Sequence, residues 1–172
     1  MRGISVPLTY SGLRTAAKWF EKYATVTLPK KTEQLVELMT RQGESWAINF
    51  MGHIDTGETL ASIVGIRNGN KGVIVAGGNA IWIEFGTGVV ANRGVDSHPK
   101  APILGIAPHG TYGKGLGSSP NGWYYPDPNG KHYYKGQYWT HTYGIPASRF
   151  LYNTSIELIK AYPSMAKEIF EK

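Results

Sequence analysis

The residues best placed to do chemistry are Asp55-Thr56-Gly57, the tripeptide that carries the catalytic carboxylate of aspartic proteases. Such an enzyme needs two of these loops, so that two carboxylates share one proton. This chain has one copy, so a protease reading requires a homodimer built around Asp55. The tripeptide follows a helical pattern rather than a strand, and Glu58 would set a further charge beside the pair. The alternative is a turn, in which the Asp55 side chain bonds the backbone two residues on and Gly57 supplies a free φ.

Other constellations are weaker. The five histidines (53, 98, 109, 132 and 141) show no paired metal-ligand spacing. His98 and His109 fall in a Pro/Gly-rich stretch where solvent-exposed histidines are common. The glycines of His109–Gly117 lack the strand before and the helix after that would aim backbone N–H groups at a phosphate. With no cysteine, thiolate metal sites, disulfides and cysteine nucleophiles are excluded. No catalytic residue, cofactor or metal site is therefore expected. The aromatic set Trp123, Tyr124, Tyr125, Tyr133, Tyr134, Tyr138, Trp139 and Tyr143 has three uses: stacking on bases, stacking on sugars, or filling a protein interface. Base stacking normally comes with interleaved Arg. This stretch has only Lys131 and Lys135, which favours the interface.

The elements that must position these residues follow from periodicity. Leu13, Ala16, Ala17, Phe20 and Ala24 recur at helical spacing, with Arg14, Lys18, Glu21 and Lys22 opposite. Thr27 is a suitable N-cap for a second helix, with Pro29 in its first turn and Leu28, Leu35, Leu38, Met39, Trp46 and Phe50 on one stripe. Gly43 weakens its middle. Two β-rich runs flank Asn68–Gly72 as a hairpin, and the alternation of Ile81, Ile83 and Phe85 predicts a third strand over 80–86. Residues 87–144 hold 11 of the 22 Gly, 6 of the 10 Pro and 7 of the 11 Tyr, so a long irregular insertion is expected there. Within it, Gly122–Tyr125 and Lys131–Tyr134 flank Pro126–Gly130 as an aromatic hairpin closed at Asn129-Gly130. A last helix carries Phe150, Leu151, Thr154, Leu158 and Tyr162 on one face, with a kink or interruption at Pro163.

The expected class is α+β: an antiparallel sheet of three or four strands packed by two N-terminal helices and one C-terminal helix. One domain over 1–172, with a loop insertion at about 87–144, is expected from the length. The net charge of +6 is spread without a block of like charge, and charged residues are 17% against roughly 25% in an average soluble chain. No apolar run approaches the roughly 18 residues that would span a bilayer, and no leader pattern opens the chain. Synthesis in the cytoplasm and no membrane partner are expected.

Three segments, in order, resemble the head–tail joining proteins of tailed bacteriophages, the neck or tail-component family. His53–Ile63 resembles that family's D-T-G-x-L-x-x-S-I turn, with Asp55, Thr56 and Gly57 at its centre. Ala80–Thr87 is similar to its Y-A-x-Y-x-E-F-G-T strand, placing Glu84, Phe85, Gly86 and Thr87 on the motif. Gly144–Thr154 resembles its P-A-x-P-F-L/M entry into the last helix, with Pro146 and Phe150 matching. Gly122–Gln137 resembles an insertion found in many members. Arg149 stands where the family has Pro, and Ile81-Trp82 replaces a Tyr-rich start.

The resemblance implies a structural virion subunit, not an enzyme, in a homo-oligomeric ring at the head–tail junction. Six-fold or twelve-fold symmetry would go with neighbouring connector and tail-terminator or tail-tube proteins, and with genomic DNA passing nearby. On this view Asp55 and Gly57 shape a turn, Glu84 and Thr87 tie strand to loop, and Phe150 anchors the last helix. Trp123, Tyr124, Tyr125, Tyr133, Tyr134, Tyr138 and Trp139 are the interface candidates. The competing expectations are the dimeric protease and an aromatic-loop module binding nucleic acid or glycan.

Overall fold

The computed structural model describes residues 7–51, 57–88, 90, 97–106 and 122–171. In order these form α1 (Tyr10–Lys22), a π turn (Tyr23–Thr27), α2 (Leu28–Met51), α3 (Glu58–Ala61), β1 (Val64–Asn68), β2 (Lys71–Val75) and α4 (Ala80–Phe85). The strands β3 (Trp123–Pro126), β4 (His132–Tyr134) and β5 (Gln137–Thr142) and the helix α5 (Phe150–Phe170) complete the chain. The class is α+β, with antiparallel pairing throughout. The strands form two sheets, β1-β2 and β3-β5-β4, rather than one.

The chain divides into two compact units. One comprises Met1–Trp46, Val64–Val75 and Ser155–Lys172, the other Ala47–Ile63 and Ala76–Thr154. In the first, α2 and α5 run antiparallel. Lys31 Nζ donates to the Ile169 carbonyl at 2.8 Å, a cation at a helix C-terminus. Farther along, Gly43 faces Leu158, where a Cβ would stand only 3.0 Å from Leu158 Cδ1. The glycine that weakens the helix on propensity is the one that lets Leu158 and Ile74 approach. The β1-β2 hairpin lies on the same face of α2, and Gly65 N–H donates to Glu44 Oε2 at 2.9 Å.

Thr27 does not cap a new helix: α1, the π turn and α2 run on unbroken. The π turn ends two residues before Pro29, whose missing N–H removes one rung of the α-helical ladder. There the chain bonds one residue further back, Leu28 N–H to the Tyr23 carbonyl. Pro163 likewise sits inside a continuous α5. The rung it removes belongs to Ile159, at an exposed position where solvent can serve the orphan carbonyl.

The second unit holds most of the buried side chains: Ala47, Met51, Ile63, Ala80, Ile83, Ala101, Ala147 and Phe150, with Thr59, Glu84, His98 and Thr154 among them. Residues 80–85 are helical, not the third strand. Ala80, Ile83 and Glu84 are the buried set, at the i, i+3, i+4 spacing of a helix face. Over six residues the alternation of Ile81, Ile83 and Phe85 suits either element. Tertiary burial of the Glu84 carboxylate decides it.

Residues 122–144 are a sheet rather than an irregular excursion. The Asp127–Gly130 turn forms as its sequence implies: Asn129 N–H donates to Asp127 Oδ1 at 2.9 Å, and Gly130 N–H to the Asp127 carbonyl at 2.9 Å. The strands on either side of it are not partners, however. β5 lies between them, so the closed hairpin is β4-β5, turning at Lys135 (φ 49) and Gly136 (φ 83).

Candidate functional site: the Glu84 knot and the aromatic sheet

Glu84 is 5% exposed and His98 is 4% exposed. Helix α4 delivers the carboxylate to the start of α5. Its Oε2 accepts Leu151 N–H at 2.8 Å, and its Oε1 accepts Tyr152 N–H at 3.0 Å. These are two of the orphan donors of the first α5 turn, and the helix dipole adds to the attraction of the negative charge. His98 Nε2 stands 2.9 Å from the same Oε1. Because Lys100 N–H donates to His98 Nδ1 at 3.0 Å, the ring proton belongs on Nε2 and points at Glu84. Phe85 and Tyr152 flank the imidazole, with ring centroids at 4.3 and 5.4 Å.

The capping is reciprocal. Ser148 N–H donates to the Ile83 carbonyl at 2.9 Å, and Arg149 N–H to the Glu84 carbonyl at 3.1 Å. The end of α4 and the start of α5 therefore satisfy each other's orphan groups. Thr87 extends the seam: its N–H donates to the Ile145 carbonyl at 2.9 Å, and its Oγ1 accepts Ile145 N–H at 3.2 Å. Gly86 has φ +72, and a Cβ there would stand 2.6 Å from Ala147 N and Ile145 O. No other residue fits.

Two of the three motif segments thus meet in one knot. Glu84, Phe85, Gly86 and Thr87 come together with Pro146 and Phe150, and Phe150 is fully buried. His98, expected to be solvent-exposed, is instead the knot's buried third member. Its only sequence signal is a lone polar ring in a Pro-rich stretch, which names no partner. Asp55 and Thr56 lie outside the described residues; the Gly57 carbonyl accepts the Ala61 N–H as α3 begins. Arg149 has φ +59, a conformation Pro cannot take.

Chemically the knot is closed. Both carboxylate oxygens and both ring nitrogens are engaged. A concavity of about 610 Å³ in the same unit is lined by Trp82, Ile83, Pro146, Ala147 and Ser148 among others, but by neither Glu84 nor His98. No cluster of three or more metal-ligating side chains occurs among the described residues, and no described helix is long and apolar enough to cross a membrane.

The open surface is the β3-β5-β4 sheet. Register puts Tyr124, His132, Tyr134, Trp139 and His141 on one face and Tyr125, Tyr133, Tyr138 and Thr140 on the other. Tyr124 packs on His132 and His141 at 5.1 and 4.8 Å, and Tyr133 on Tyr138 at 4.9 Å. Tyr133 and Tyr134 are 65% and 62% exposed; Tyr124, Tyr125 and Tyr138 are exposed as well, and Trp139 is half-buried. The Trp123 side chain is outside the described set, although its backbone pairs with Thr142. Tyr124, His132, Tyr133, Tyr134 and Trp139 line a concavity of about 460 Å³. No family model, curated protein or solved structure matches the chain.

Proposed function

We propose that this chain is a non-catalytic structural subunit that works by assembly, in the head–tail connector of a tailed bacteriophage. The observation that carries the assembly reading is the imbalance between what the fold buries and what it leaves open. Among the described residues nine apolar side chains are buried, while twenty-four large hydrophobic ones are exposed, five of them tyrosines of one small sheet. Large exposed apolar patches on a folded chain mark contact surfaces. Tyr and Trp are the side chains that concentrate interface energy. The hydrogen bonds of the Glu84 knot, all made within the chain, support a scaffolding role for Glu84 and His98. The connector itself rests on the ordered resemblance of the three motif segments.

The test is to make particles with Tyr134→Ala or Tyr138→Ala subunits. Heads and tails that fail to join, with the melting temperature of the isolated subunit unchanged, support the reading. Joined particles, or a markedly lower melting temperature, contradict it. Asp55→Asn separates the protease alternative, because a protease loses its activity while a turn residue leaves joining intact.

A further inference from the structure

Helix α1 buries none of its residues. Leu13 and Phe20 lie on its apolar side with Ala16 and Ala17, and are 55% and 59% exposed; Arg14, Lys18 and Lys22 form the polar side. This end of the long helix therefore carries an apolar face that the fold leaves uncovered, the kind of face that packs on a partner. The same unit carries a second uncovered apolar surface. Register pairs Val64 with Val75 and Ile66 with Val73, and strand alternation sets these four opposite Gly65, Gly72 and Ile74, which turn to α2. All four are exposed, from 39% to 53%.

Helix α1 cannot cover the hairpin of its own chain. From Tyr10 to Met51 the helix is unbroken, and the hairpin lies against it around Thr40 and Gly43. At a rise of about 1.5 Å per residue, Ala17 stands roughly 35 Å up the rod from Thr40. We infer that α1 of one copy lies across the outer face of the β1-β2 hairpin of a second copy. This inference rests on the assembly reading and names one contact that builds it. Each chain then offers one donor surface and one acceptor surface, the head-to-tail arrangement that closes into rings.

One charge pair and the area fit that occupant, although α1 and the hairpin are each net basic. Glu21, the only acidic residue of α1, borders its apolar side, and Lys71 continues the outer face of the hairpin beyond Val73. Tyr10, Leu13, Phe20, Val64, Ile66, Val73 and Val75 would bury on the order of 100 Å² each, roughly 700 Å² together. A free-standing complex buries about 1,600 Å². This contact is therefore a joint within a larger assembly, not a dimer by itself.

The chain has no cysteine, so an engineered pair reports unambiguously. Phe20→Cys and Val73→Cys subunits, both substituted at exposed positions, are mixed under assembling conditions and oxidised. The expected product is a mixed disulfide that joins position 20 of one copy to position 73 of another, absent when either variant is oxidised alone. Glu21→Lys and Lys71→Glu each weaken assembly several-fold, and the double variant restores it. A symmetric disulfide between two Phe20→Cys subunits overturns the geometry in favour of helix–helix pairing. Normal assembly without the mixed disulfide, or with Phe20→Glu, overturns the docking and leaves the assembly reading intact. Absence of assembly by the unsubstituted chain in every condition, particles included, overturns both.

Discussion

Replacing Glu84 with Gln keeps the shape of the side chain and removes one acceptor and the charge. With its oxygen at the Oε1 position, the amide still accepts from His98 and Tyr152, but its NH2 then meets Leu151 N–H, donor against donor. Flipping the amide is worse, because two donors are then opposed. A buried orphan N–H costs about 1–3 kcal/mol, and losing the charge at the α5 N-terminus costs up to about 1–2 kcal/mol. The neutral amide is cheaper to desolvate, which offsets part of this and leaves a net cost of about 2–3 kcal/mol. In a chain of this size that lowers the melting temperature by roughly 5–10 °C. Calorimetry with near-ultraviolet circular dichroism reads it, because the aromatic rings around His98 report on the unit that holds the knot. His98→Ala completes a double-mutant cycle with an expected coupling of about 1–2 kcal/mol. A shift under about 1 °C, or strictly additive costs, would refute the reasoning.

Gly86→Ala meets both a left-handed φ and the backbone of residues 145–147, so a loss of about 3 kcal/mol or more is expected in urea unfolding. Arg149 holds a φ of +59 at a cost, so Arg149→Gly should raise stability by up to about 1 kcal/mol in the same assay. Arg149→Pro should lower it, because Pro cannot adopt that φ and removes the N–H given to the Glu84 carbonyl. Asp127 is held below the ordinary carboxylate range, first by the Thr140 hydroxyl and then by Asn129 N–H. Because its folded value is depressed, its contribution is present above the ordinary carboxylate value and is lost as pH falls through the folded one. Asp127→Asn should therefore flatten the acid limb of the stability curve of the β3-β5-β4 sheet, measured by thermal melts between neutral pH and acid.

Much of the fold is legible in the sequence because it rests on long periodic segments. The helices around residues 10–50 and 150–170 and the hairpin at 64–75 follow directly from spacing and from an Asn/Gly turn. Where structure and spacing part, the causes are local. Six residues of alternating Ile and Phe do not separate strand from helix, and the burial of Glu84 is a tertiary fact. The aromatic hairpin takes a different pairing because a good turn at Asp127–Gly130 says only that the chain reverses. It does not say that a third strand will insert between the two arms. Thr27 has the residue type of a cap, yet Pro29 is accommodated by widening one turn. The knot is half legible: its motif residues stand out in two separate segments, while their union through His98 depends on a contact spanning fourteen residues of low-information sequence.

Cryo-electron microscopy of the assembled particle tests the central claim most directly. Density at the head–tail junction should accommodate a closed ring of this chain, six-fold or twelve-fold, with the β3-β5-β4 sheet in contact with a neighbouring subunit or an adjoining ring. A junction with no copy or a single copy of the chain would contradict it, as would a ring in which that sheet faces only solvent.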